Sequence, residues 1–350
     1  MKGHSQSKMS ERENYTRMLE RKKPDWIPVW FDCLPRVWHK YGEALEALLL
    51  KYPNVSNHRK GSVDFEYDPP RYYPGLFMDN CGCLWRNAAR GNNGHIIESP
   101  LDDWSKFDTY KPPDFMTQYE YGARDWDNEQ RDVERKKAEG QFVVGFGDRL
   151  FDRLYFLRGF ENLMVDIAED HPKLPLLIEM LLDYEMKLTK KWLSLGVDAV
   201  FYHTDIGTQN SLMISPEAFR KYIKPLYKEI FTYCRQRGAH VILSSDGCLL
   251  SIVPDLIECG VSQHDPQFGA NPLDRIKAVY ADKLAVRLDL DRQMFPFCAP
   301  ADIDKHVKDS VDALWSEEGG LSLQCQFIDD ITPLENIEAM LRALDTYCVN

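Results

Sequence analysis

Short apolar runs alternate with longer stretches of helical periodicity along this chain, most regularly after Gly140. Phe142-Val143-Val144-Gly145-Phe146, Ala199-Val200-Phe201-Tyr202, His240-Val241-Ile242-Leu243, Leu284-Ala285-Val286-Arg287-Leu288 and Leu321-Ser322-Leu323-Gln324 read as strands, with a weaker one at Val261. Helices are expected around Arg158 to Glu169, Lys173 to Leu195 and Leu249 to Cys259, and from Ala301 and Pro333. Ser215-Pro216-Glu217 marks a further helix start, with Ser215 as N-cap and Pro216 in the first position. Near the beginning, Ser10-Glu11-Arg12-Glu13 opens a charged helix with Tyr15, Met18 and Leu19 at helical spacing. The run Ile27 to Phe31 reads as the first strand.

Strands alternating with helices at this spacing indicate parallel β–α units. They count toward eight, and no GxGxxG follows any strand. Both points favour an α/β fold of (β/α)8 barrel type over an open doubly wound sheet. Residues 1–350 are expected to form one such domain, with an elaborated region from about residue 37 to 140. Its first part is rich in Pro, Gly and aromatics, with strand-like pieces such as FMDNCGCLW; Tyr119 to Glu139 reads as a solvated helix.

A net charge of −12 argues against nucleic acid or an anionic membrane surface as partner. No stretch approaches the ~20 apolar residues of a membrane span, and the first residues lack a signal-type apolar core. Nine cysteines without framework spacing suit reduced thiols, so a cytoplasmic location is expected.

In a barrel of this kind, function sits at the C-terminal ends of the strands. His203-Thr204-Asp205 stands where an apolar strand stops, and Asp32, Cys33, Asp148, Ser244, Ser245, Asp246, His264, Asp265, Asp289, Asp291 and Cys325 occupy similar positions. Each has a structural reading too: strand-end Asp residues often cap helices, His264-Asp265-Pro266 suits a turn, and a strand-end cysteine more often packs than ligates. Cys81-Gly82-Cys83 is too tightly spaced for a usual zinc site. Only convergence of several groups on one mouth would make a site.

Over nearly its whole length the chain resembles the uroporphyrinogen decarboxylase superfamily. The segments that carry the likeness are GFGDRLFDRLYFLRGFENLMVDIAED from Gly145, GVDAVFYHTDIGTQNSLMISPEAFRKYIKPLY from Gly196, SSDGCLLSIVPDLIECGV from Ser244, HDPQFGANPLDRI from His264 and TPLENIEAM from Thr332. Within it the chain looks closest to the corrinoid-dependent methyltransferases of the O-demethylase type. The decarboxylases carry Arg-Gln-Ala-Gly-Arg after the first strand, where this chain has Asp32-Cys33-Leu34-Pro35-Arg36. A substrate with eight carboxylates needs more cations than that. Thiol-alkylating zinc methyltransferases use His-x-Cys and a distant Cys, which fall here on Ser244, Asp246 and on or beside Cys325.

The resemblance therefore implies methyl transfer from a small donor, a methoxylated aromatic or a methylamine, to the cob(I)alamin of a corrinoid protein. It implies His203, Asp205, Asp246 and His264 as catalytic candidates, and Asp32, Tyr155, Gln209 and Trp30 as substrate-binding candidates. It leaves zinc open, with Asp246 and Cys325 as candidate ligands, and a homodimer as the oligomeric expectation. The alternatives are tetrapyrrole decarboxylation, corrinoid-to-thiol methyl transfer, and a ligand-binding barrel without catalysis.

Overall fold

The computed structural model describes residues 9–91, 94–119, 122–280 and 282–349. Seven parallel strands form its central sheet: β1 (Val29–Cys33), β2 (Val144–Arg149), β3 (Ala199–His203), β4 (His240–Ser244), β5 (Gln263–His264), β6 (Ala285–Asp289) and β7 (Leu321–Phe327). Their spatial order is β1-β7-β6-β5-β4-β3-β2, so after β1 the chain steps one place around the sheet with each unit. The architecture is the α/β, (β/α)8-type barrel that the sequence pattern predicts. The count differs in one place: among the described residues no ladder joins β1 to β2. Between them the chain instead builds the helix Pro35–Leu49, an antiparallel sheet of Gly75–Met78, Leu84–Asn87 and His95–Glu98, and the helix Trp126–Ala138.

The helix Pro35–Leu49 was not expected, since most of it falls in the region read from its Pro, Gly and aromatic content as an elaborated one. Pro35 occupies the first turn, where its missing N–H costs nothing, and Gly42 takes φ 43° at a kink. The charged helix is also shorter than predicted: Gln118–Tyr119 pairs with Gly122–Ala123 as a hairpin, and residues 120 and 121 lie outside the described residues. All nine cysteines are free, and no helix is long and apolar enough to cross a membrane.

The apolar strand runs are explained by burial on the sheet's outer face, where Val241, Leu243, Leu288 and Leu323 are fully buried under the helices. The opposite, inward positions are less apolar, and the floor of the barrel shows why. The helix Glu11–Glu20, N-capped by Ser10, crosses the N-terminal ends of the strands. Its Tyr15 stacks on Phe142 at 4.4 Å and packs with Ala199 and Ile242. The Tyr15 hydroxyl donates to Gln263 Oε1 at 2.7 Å, and Gln263 Nε2 donates to Ser322 Oγ at 2.9 Å. One ring thus packs across the base of the barrel. Tyr15→Ala should lower unfolding stability by about 3–5 kcal/mol, measured by urea denaturation; a loss below about 1 kcal/mol would show that the helix does not seal the floor.

Candidate active site

Alternate residues of each strand point inward, so the register defines what lines the mouth. Trp30 pairs with Gln324 and Asp32 with Gln326; Asp289 pairs with Gln324; His203 pairs with Ser244 and with Arg149. Below this polar ring lies an aromatic layer. Phe201 and Phe146 have ring centroids 6.0 Å apart, and the Arg287 guanidinium carbon lies 5.4 Å from the Phe201 ring and 5.8 Å from that of Trp30. Trp30 keeps 41% of its surface exposed and Phe146 56%.

The strongest convergence of charge is at His203. Its Nδ1 lies 3.5 Å from Asp152 Oδ2, 3.8 Å from Asp205 Oδ1 and 3.2 Å from Arg149 Nη1. Arg149 also donates to Asp152 Oδ2 at 2.8 Å, and Asp152 is fully buried with its other oxygen unpartnered among the described residues. Burial pushes the imidazole pKa down, but the hydrogen bond and charge of Asp152, joined by Asp205, outweigh it and the net shift is upward. The charge of Arg149 opposes the upward shift. Burial raises Asp205, aided by the charges of Asp152 and Asp246, while Asp152 ends below the usual carboxylate range because His203 and Arg149 overcome its burial. Tyr155, on the helix Phe151–Arg158, is half-buried, and its phenol is raised by burial and then by Asp152 and Asp205.

Across the mouth, Arg292 joins three strand ends. Its Nη2 donates to Asp246 Oδ1 at 3.0 Å and Asp289 Oδ2 at 2.8 Å, and Nη1 reaches Gln326 Oε1 at 3.4 Å. Gln326 in turn donates to Asp32 Oδ2 at 3.1 Å. Burial raises Asp289 to about 7 despite this pairing. Beside them, Asp265 accepts from Ser244 Oγ at 2.6 Å, from Ser245 N–H at 3.0 Å and from Arg287 at 3.0 Å.

Two glycines hold the two Asp-bearing loops together. A Cβ on Gly207 would lie 2.6 Å from the Asp246 carbonyl oxygen, and one on Gly247, at φ 87°, would lie 2.7 Å from the Gly207 carbonyl oxygen. That approach lets the Asp246 N–H donate to Asp205 Oδ1 at 3.1 Å and the Cys248 N–H donate to Thr208 O at 2.8 Å. The Gly after each Asp in TDIGTQ and SSDG is thus a packing requirement.

His203, Asp205, Asp246, Asp32, Trp30 and Tyr155 therefore gather around one mouth. Gln209 lies at the rim, its amide donating to Gly269 O at 2.9 Å, where it ties two loops. His264 stands apart from the cluster. It is fully buried, its Nδ1 lies 2.7 Å from the Tyr280 hydroxyl, and burial lowers its pKa to about 4. Cys325 is also fully buried; its neighbours in the sheet face the helix layer, and burial drives its thiol pKa well up. A thiol held protonated there does not fit as a zinc ligand with Asp246, whose carboxylate already holds Arg292. Among the described residues, one group has metal-ligand spacing: Asp152, His203 and Asp205 offer atoms within 4.8 Å of one another. Arg149 already stands among them, 2.8 Å from Asp152 and 3.2 Å from His203. The cluster as built does not fit zinc.

Sequence reasoning missed Asp152, Arg149, Arg287 and Arg292. Arg287 had a signal: a charged residue inside AVRL, an otherwise apolar strand. Asp148, by contrast, is structural, bound by Arg153 at 2.8 and 2.9 Å and by the Tyr184 hydroxyl at 2.6 Å.

Comparison with known proteins adds three findings. The model of a family described as uroporphyrinogen decarboxylase (URO-D) matches residues 94–347. No curated protein matches the sequence. Among solved structures, the chain is similar to a methyltransferase from Methanosarcina mazei, with 14% identity and a TM-score of 0.68, covering 97% of this chain and 99% of that one. At that identity the likeness concerns the fold. Dihydropteroate synthase from Yersinia pestis is similar at 15% identity over 59% of this chain and 70% of that one, with a TM-score of only 0.36.

Two outcomes follow from this geometry. The His203 titration, followed by NMR of ring-labelled histidine, should have its midpoint above the ordinary 6.5. Asp152→Asn should move it down, since the neutral amide no longer favours the charged ring; an unmoved midpoint would remove Asp152 as the cause. Gly247→Ala should cost about 2–4 kcal/mol of stability in denaturation, from the φ > 0 backbone and the clash with Gly207; a neutral variant would show that the two loops can separate freely.

Proposed function

The chain belongs to the uroporphyrinogen decarboxylase family, and we propose that within it the protein is a methyltransferase that moves a methyl group from a small methoxylated aromatic donor to the cob(I)alamin of a corrinoid protein. The observation that carries this reading is the imidazole of His203, set 3.5 Å from Asp152 and 3.8 Å from Asp205 above an aromatic layer, with its pKa shifted upward by those carboxylates.

Demethylating an aryl methyl ether breaks the methyl–oxygen bond as a methyl–cobalt bond forms. The corrinoid supplies the nucleophile. The barrel's task is to orient the donor and to stabilise the departing oxygen, which leaves poorly as a bare phenolate. Trp30, Phe201 and Phe146 offer faces against which an aromatic ring can lie. His203 in its protonated form donates its proton to the oxygen, which departs as a phenol and leaves the imidazole neutral; Asp152 favours the charged ring before the transfer. Tyr155, beside the same carboxylates, orients the donor from the other side. Asp205 and Asp246, joined through the Asp246 N–H, fix the imidazole and the adjoining loop.

The rival readings fit less well. A tetrapyrrole with eight carboxylates would need many free cations, whereas Arg149, Arg287 and Arg292 are each already paired with an aspartate. Thiol alkylation by a zinc-bound thiolate lacks its ligand set here, for the reasons given above.

Purified protein should convert cob(I)alamin to methylcobalamin, followed in the visible spectrum, with methoxylated aromatics as donors. His203→Gln should lower the rate by about 10²–10⁴-fold with the fold intact by circular dichroism. An unchanged rate would take His203 out of the mechanism, and a flat spectrum with every donor and with a corrinoid protein supplied would overturn the transferase reading.

A further inference from the structure

Outside the barrel, a cleft of about 510 Å³ lies between the helix Leu174–Ser194 and the segment 112–116. That helix packs on the outer face of β2, where a Cβ on Gly145 would meet Trp192, and none of the residues lining the cleft belongs to the mouth. Its size is that of a small-molecule site. The floor is apolar. Phe115 stacks on Tyr184 with ring centroids 4.5 Å apart, both rings are buried, and Phe107, Met116 and Met180 complete the surface. Tyr184 is held in place from behind, since its hydroxyl donates to Asp148 Oδ2 at 2.6 Å. Asp114 uses one oxygen to fix the facing wall, accepting from the Met116 N–H at 3.0 Å.

The rim has a different character. Glu179 and Asp183 are exposed and stand one helical turn apart, Asp114 belongs to the facing segment, and Lys187 is the one cation among the lining residues. Three carboxylates therefore share one ammonium. Like charges four residues apart weaken a helix, and an opposite charge at the same spacing offsets this when the pair closes. Lys305 closes on Asp309 and Lys308 on Asp312 in this way. Lys187, four residues after Asp183, does not: among the described residues neither Asp183 nor Glu179 has an ion-pair partner. Aromatic faces beneath unpaired carboxylates complement an apolar body that carries a positive charge. The body covers the rings, the cation meets the carboxylates, and a ring face adds cation–π attraction. An anion would be repelled from the same rim.

We propose that this cleft binds a small organic ammonium ion, with its apolar body on Phe115, Tyr184 and Met180 and its charge between Glu179 and Asp183. The site does not depend on the methyltransferase reading. Because no lining residue belongs to the mouth, the ligand of the cleft is not the group that reacts there.

The test is calorimetric binding of 2-phenylethylamine, a cation at neutral pH, and of 2-phenylethanol, its neutral counterpart, to the full chain at low ionic strength. The amine should bind about three- to thirtyfold more tightly than the alcohol, and the difference should shrink as salt is added. The double variant Glu179→Gln with Asp183→Asn changes only exposed side chains. It should abolish the preference while leaving the affinity of the alcohol within about threefold. Equal affinity of the two probes for the unaltered protein, or no saturable binding of the amine, would overturn the site. So would a preference for the amine that survives in the double variant, since the cation would then be held elsewhere, as among the carboxylates of the mouth.

Discussion

Asp152 is fully buried, and a carboxylate in that position keeps its charge only because His203 and Arg149 stand against it. Removing such partners from a buried charge typically costs about 3–5 kcal/mol. The same contact shifts the imidazole pKa upward, so one interaction serves both the stability of the mouth and the proton-donor role proposed for His203. The remaining mouth carboxylates follow the same rule, with Arg292 on Asp246 and Asp289 and Arg287 on Asp265. This lattice fixes several strand ends relative to one another, and it exists because β2, β3, β4 and β6 end at one level.

That level is set by packing below and above. Tyr15 fills the base of the barrel from a helix that precedes every strand, and the outer faces of the strands are buried by the helices. At the top, Gly207 and Gly247 bring two loops into backbone contact that any side chain would prevent. Between floor and loops lies an aromatic layer of Trp30, Phe146 and Phe201. A substrate entering there would leave its outermost group facing solvent, which is where a cofactor on a second protein could meet it.

Much of this was legible in the sequence. Buried parallel strands announce themselves as apolar runs, and His203, Asp205 and Asp246 could be placed at strand ends because the strands around them were clear. His264 could not be separated from them, since a histidine after a short strand looks alike whether it faces the mouth or, as here, Tyr280. Asp152 and Arg149 were hidden for a different reason. They belong to RLFDR, at and just past the end of β2, and they meet His203, 54 residues beyond Arg149, only because β2 and β3 pair side by side. Cys325 fell to parity: one residue along β7 separates the inward Gln324 and Gln326 from the outward thiol.

The central claim is that a protonated His203 gives its proton to the leaving oxygen, and the pH dependence of methyl transfer tests it most directly. With saturating methoxylated donor, the rate of methylcobalamin formation should be level at pH values below the upward-shifted pKa of the imidazole, where the ring is protonated. It should then fall tenfold per pH unit once the pH passes that raised pKa. A rate that rises with pH across the same range, or that ignores it, would contradict the account.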